Sequence, residues 1–194
     1  LAIFYRRIFI LTLLGLGHLF LLWPGDILFL YALVGMVLPM FRNLKNKTLM
    51  ILSVFLIFSP ILFDLAKVIS DGAWNLSRPF EEMAIRIYEA NGITGENYRT
   101  YAIDNPTYQG ILEWNRGGFF WRFEHIIGSN RIPKVLAMFL IGVVVGRKLI
   151  FSNLEANRPL LKLVQKWGFI IGLPASIAFA IFMHDGIWLP KPFG

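Results

Sequence analysis

The stretch Arg6–Arg42, "RRIFILTLLGLGHLFLLWPGDILFLYALVGMVLPMFR", decides how this chain is read. From Ile8 to Phe41 it holds one acidic side chain, Asp26, and one imidazole, His18, in otherwise apolar surroundings. Two hydrophobic runs flank a Trp23-Pro24-Gly25-Asp26 turn. Crossing the hydrocarbon core takes about 20 mostly apolar residues. Phe4–Trp23 meets that length. Ile27–Phe41 is shorter: at about 1.5 Å per residue it reaches some 22 Å of a core about 30 Å thick. It therefore crosses a thinned region or forms a re-entrant hairpin with its partner, and the basic stops at both outer ends favour crossing.

Outward from this stretch the pattern continues. Of 194 residues, 56% are hydrophobic, 15% aromatic and only 16% charged, where a soluble domain is nearer a quarter charged. The net charge of +7 does not point to nucleic acid, because the Lys and Arg residues punctuate apolar runs instead of clustering on a polar face. There is no cysteine, which excludes disulfides, thiolate metal sites and cysteine nucleophiles. The chain opens on Leu1 without a signal-peptide pattern and reads as an internal piece of a longer protein.

Three further apolar runs bring the expected number of membrane segments to five, near 4–23, 27–41, 48–66, 133–150 and 167–183, in an all-α polytopic transmembrane bundle. The lipid bilayer is then the first partner. Arg6, Arg7, Arg42, Lys45, Lys47, Arg147, Lys148, Arg158, Lys162 and Lys166 fall on one side of such a set, which the positive-inside rule makes the cytoplasm. The turn at Trp23–Asp26 and the segment 67–132 become extracytoplasmic. Within that segment Pro79–Ala90 opens like a helix and sets Phe80, Ala84, Ile87 and Tyr88 on one side. Ile111–Ile127, "ILEWNRGGFFWRFEHII", mixes aromatics with Arg and suits the headgroup region, as an amphipathic insertion over the outer mouth. Gly142-x-x-x-Gly146 and Gly168-x-x-x-Gly172 are small-residue spacings that allow close helix packing, as do Gly15, Ala32 and Gly35.

The polar residues need separate reasons. Asp26 follows a Pro-Gly turn and is placed to cap the helix that starts at Ile27. His18 lies more than a turn inside the first helix, where an interhelical hydrogen bond and a titratable group in a water-lined cavity are both open readings. If the chain folds back at Pro24-Gly25, His18, Asp26 and Asp64 share one outer layer with His184 and Asp185. Together with Trp23 they would line an outward-facing polar cavity, although His184 and Asp185 taken alone suit an exposed loop. No phosphate loop, nucleophile elbow or metal-ligand spacing is present.

Arg6, Arg7, Gly15, His18, Leu22, Trp23, Gly25, Asp26, Ile27, Leu28, Tyr31, Ala32 and Gly35 together resemble the signature of the YeiB-like bacterial membrane proteins, the domain-of-unknown-function family numbered 418. Leu136–Arg147, "LAMFLIGVVVGR", is similar to that family's helix ending in Gly-Arg. The resemblance implies a multi-pass protein of the bacterial inner membrane, about twice this length, with flanking helices before and after this stretch. It is grouped distantly with membrane acyltransferases that modify extracytoplasmic sugars, and some members are labelled transporters. Three functions follow as expectations. One is an acyltransferase-like enzyme with acyl-CoA as donor, a glycan or other small molecule as acceptor, and His18 as base oriented by Asp26. The second is a permease with a polar outward-facing cavity. The third is a structural membrane protein that needs no cofactor.

Overall fold

In the computed structural model, residues 1–184 are described and, among them, every regular element is helical. The order is α1 (Ala2–Leu21), α2 (Leu28–Val37) with a short 3-10 turn (Leu38–Phe41), α3 (Asn46–Ile69), α4 (Arg78–Ala90), α5 (Tyr101–Asp104), α6 (Tyr108–Gly128), α7 (Arg131–Arg147) and α8 (Leu154–His184). The chain forms two compact units, one over 1–144 and one beginning at Val145.

In the first unit α1 and α2 make an antiparallel hairpin. His18 carbonyl oxygen accepts from both Leu22 and Trp23 amides, at 3.0 and 2.9 Å. Pro24, which has no amide to offer, then ends the helix. Gly15 sets the spacing at this end: a Cβ added there would stand 2.6 Å from the Phe29 nitrogen, so only hydrogen fits where the two backbones approach. At the other end the Tyr5 hydroxyl reaches Met36 carbonyl, 3.5 Å away. Ile8 lies against Gly35.

Helix α7 extends this hairpin through side-chain contacts. Leu30 and Val34 of α2 bury against Ile126 of α6, with Val135, Leu136 and Phe139 beside them. Leu49 of α3 buries against Leu140 and Val144. Helix α3 runs through Pro60, whose missing amide leaves Leu56 carbonyl without its usual donor. The Ser59 hydroxyl donates to that carbonyl at 2.9 Å, which is the local repair that lets proline stand in an apolar helix.

Between α6 and α7 the direction changes by 66°. Asn130 takes the left-handed conformation at the corner, φ +51°, which Asn tolerates better than most residues. The carbonyls freed at the end of α6 find donors. Ser129 hydroxyl bonds His125 carbonyl, Lys67 Nζ bonds Gly128 carbonyl at 3.0 Å, and Lys134 Nζ bonds Ser129 carbonyl at 2.9 Å. The corner is thereby tied to α3 and to the first turn of α7.

The second unit carries α8, whose first turn is capped by Asn153 Oδ1 accepting from Ala156 amide at 3.2 Å. The apolar run 167–183 falls within it.

Three helices, Ala2–Leu21, Asn46–Ile69 and the Leu154–Ile181 part of α8, are long and apolar enough to cross a membrane; a fourth crossing counts if α6 and α7 form one bent span. The number is lower than the five segments expected from the sequence. The reasons are local. Ile27–Phe41 divides, because Pro39 sits in a 3-10 turn that ends the ten-residue α2. The run 133–150 forms a 17-residue helix that begins among Arg131 and Lys134 and joins α6 at the bend.

Candidate functional site

The turn between α1 and α2 brings His18 and Asp26 together. Imidazole Nδ1 lies 3.2 Å from Asp26 Oδ1, and the two side chains are 36% and 2% exposed. Nδ1 itself is buried and lies off the line of a hydrogen bond to the carboxylate, so the ring's exposure belongs to its other atoms. Asp26 Oδ2 meanwhile accepts from Phe29 amide at 2.7 Å. One carboxylate thus caps α2, which starts one residue later than its sequence indicates, and touches the histidine of α1.

The turn is clamped on two sides. Trp23 folds its exposed ring over Gly25, where an added Cβ would meet ring atoms at 2.7–2.9 Å. Buried Pro24 fits against α6 at Gly118, where a Cβ would stand 2.6 Å from Pro24 Cγ. Helix α6 presents one face to this region. Asn115 Nδ2 donates to Phe20 carbonyl at 3.1 Å, closing the end of α1. Phe119 stacks on Phe20 with ring centres 4.6 Å apart, and Phe123 meets Phe29 edge-on at 6.0 Å. Arg122 lies on the same face, and its buried Nε has no hydrogen-bond partner. The charges acting on it are Arg131 and Asp26, although the guanidinium makes no direct ion pair with that carboxylate.

The adjoining face of α6 holds the aromatic cap. Tyr88 of α4 presses against Gly117, where a Cβ would come 2.5 Å from its ring. It joins Ile93, Tyr101, Tyr98, Trp114 and Trp121 in one apolar cluster. Burial, with Tyr98 adding to it, pushes the Tyr88 phenol far above its usual range, so this hydroxyl stays neutral and the ring fills the α4–α6 contact.

The expected outer layer is therefore only partly assembled. Asp64 is not with His18. It accepts from Asn130 Nδ2 at 3.1 Å and pairs with Lys67 at 3.4 Å, at the α6–α7 corner. The backbone of His184 ends α8, and Asp185 lies outside the described residues. A groove of about 1020 Å³ does exist in the first unit, between α3 and the corner, but it is apolar. Phe55, Leu62, Trp74 and Pro133 line it, with Ser59, Lys67 and Asn130 as its polar members, and neither Trp23, His18, Asp26 nor Asp64 contributes. Among the expected packing glycines, Gly15 makes a close backbone approach and Gly35 lies against Ile8. A Cβ at Gly142, Gly146, Gly168 or Gly172 would meet nothing within 4 Å. Among the described residues no group of three His, Cys, Asp or Glu could hold a metal ion.

Arg122 escapes the sequence reading because its segment has the mixed aromatic-basic composition of the headgroup region. A helical signal is present, since Asn115, Gly118, Phe119, Arg122 and Ile126 recur at spacings of three and four, one side of a helix.

The chain is similar to a protein of Bacillus subtilis strain 168, the uncharacterized protein YxaH. The two are 30% identical over 186 residues, covering 92% of this chain and 44% of that relative. The chain thus spans less than half the relative's length. No family model matches the chain, and no solved structure does.

Proposed function

We propose that this chain is part of a YeiB-like protein of the bacterial inner membrane, and that His18 and Asp26 form its acid–base site for acyl transfer to an extracytoplasmic acceptor. The observation that carries the reading is the buried carboxylate 3.2 Å from Nδ1 of a part-exposed imidazole. A carboxylate beside Nδ1 favours the tautomer with its proton there, and leaves the Nε2 lone pair available as a base. Nε2 takes the proton of an acceptor hydroxyl as its oxygen attacks the carbonyl of an acyl-CoA thioester. The protonated ring then returns that proton to the departing thiolate. Asp26 stays ionised beside the ring, stabilises the imidazolium that forms and takes up no proton itself.

The placement of basic residues supports an outward-facing turn. Arg6 and Arg7 open α1, Arg42 and Lys45 lie between α2 and α3, and Lys47 stands in the first turn of α3, all at the end of the hairpin opposite Trp23–Asp26. The positive-inside rule assigns that basic end to the cytoplasm. A permease draws on a different feature, the bent α6–α7 pair, because discontinuous helices line many transport paths. Uptake indifferent to a pH gradient would count against that alternative.

The test of the acyl-transfer reading uses membranes containing the complete protein, a labelled acyl-CoA and extracytoplasmic glycan acceptors. Transfer above background that His18→Ala abolishes supports it. Transfer unchanged in that variant sinks it.

A further inference from the structure

We infer that Arg122 is a positioning residue of the His18–Asp26 site, holding the charge of buried Asp26 so that the imidazole remains neutral. This rests on the acid–base reading above. It begins from geometry: α6 docks across the turn through Asn115 on Phe20, Gly118 on Pro24, Phe119 on Phe20 and Phe123 on Phe29. Arg122 follows Gly118 by four residues and Phe119 by three, so it shares their face. Asp26 lies between Pro24 and Phe29, the residues that this face covers. The register therefore sets a guanidinium toward the one carboxylate that the hairpin buries.

The electrostatic argument follows from that placement. An ionised carboxylate removed from water needs a compensating positive charge. Two candidates are near, the Arg122 guanidinium and a protonated His18. Arginine keeps its charge at any working pH, while histidine can release its proton. Direct contact is not required, because Coulomb interactions reach further where the dielectric is low. With Arg122 present, the pair of fixed charges cancels and His18 is left to act as a base. Without it, the imidazole is left to balance Asp26 alone and retains its proton, which removes the Nε2 lone pair that the chemistry uses.

Residues 27–41, α2 and its turn, contribute no further charge. Arg131 at the start of α7 acts on Arg122 and on His125. On α4, Arg78 pairs with Glu82 at 3.1 Å, and Glu81 acts on Glu124, which faces Ser77 and Lys67.

The deciding experiment reads the ring directly, with no acyl donor present. The complete protein, labelled with ¹⁵N-histidine, is studied in lipid bilayers at neutral pH by solid-state NMR, and the His18 signals are identified by their loss in His18→Gln. The wild-type ring is expected to show the two widely separated nitrogen signals of neutral imidazole. In Arg122→Gln they should collapse to the near-equal pair of imidazolium, and Arg122→Lys should restore the separation. A neutral His18 in Arg122→Gln, or a charged one in the wild type, overturns the inference. Should Arg122→Gln fail to fold, adding Asp26→Asn decides: recovery of the fold supports the coupling, and continued failure overturns it. Loss of the acyl-transfer reading would appear in the transfer assay and leave this ring signature where it stands.

Discussion

Asp26 and Asp64 both stand where an apolar run ends at the same end of the first unit, yet their side chains are 2% and 61% exposed. Asp26 is enclosed by α1, α2 and α6, caps one helix and touches a histidine of another. Asp64 holds Lys67 and Asn130 across a surface corner. In water an ion pair of the second kind contributes little, because solvent already stabilises both charges. Behind the turn every partner is needed, because a buried group that loses one has no solvent to replace it. Residue type is the same at the two sites, and both lie near the end of an apolar run. The difference is made by the neighbour: α6 covers one carboxylate and turns away before reaching the other.

Substitutions should separate the sites in a fixed order, read as unfolding free energies of the complete protein in mixed micelles. Gly15→Val forces α1 from α2 against backbone atoms and is expected to cost roughly 3 kcal/mol, disturbing the Asp26 cap with it; a loss below about 1 kcal/mol would mean that the hairpin yields easily. Asp26→Ala removes the acceptor of Phe29 amide and the neighbour of His18, for about 2–3 kcal/mol. Asp26→Asn keeps a capping oxygen and should cost about 1 kcal/mol, so equal losses for Ala and Asn would show that the cap contributes nothing. Asp64→Ala should change stability by no more than about 0.5 kcal/mol, an effect that shrinks further as salt screens the Lys67 pair. A larger, salt-insensitive loss at Asp64 would erase the contrast between the two carboxylates.

Much of this is legible in the sequence for physical reasons. Long apolar runs carry their own signal, so α1, α3 and α8 are visible there. Pro24-Gly25 cannot continue a helix, so the hairpin is visible too, and with it the meeting of His18 and Asp26. What escapes depends on contacts between distant segments. Nothing local to Arg122 says that α6 will lie across the turn, since that follows from glycine at 117 and 118 admitting Tyr88 and Pro24. Grouping Asp64 with His18 by depth alone ignores the direction a side chain takes around its helix axis. The glycine spacings on α7 and α8 indicate that close approach is possible, but a small residue cannot by itself supply the partner.

The Ser59–Pro60 pair in α3 bears on how this sequence can change over time. The serine hydroxyl serves a carbonyl that is bare only because the proline follows it. If the serine is lost first, a strong acceptor is left without a donor in the middle of an apolar helix, and membrane insertion becomes harder. If the proline is lost first, the amide ladder closes and the serine is free to vary. The two positions therefore have a preferred order of replacement, proline before serine, and descendants of this chain should show the second change only where the first has already happened.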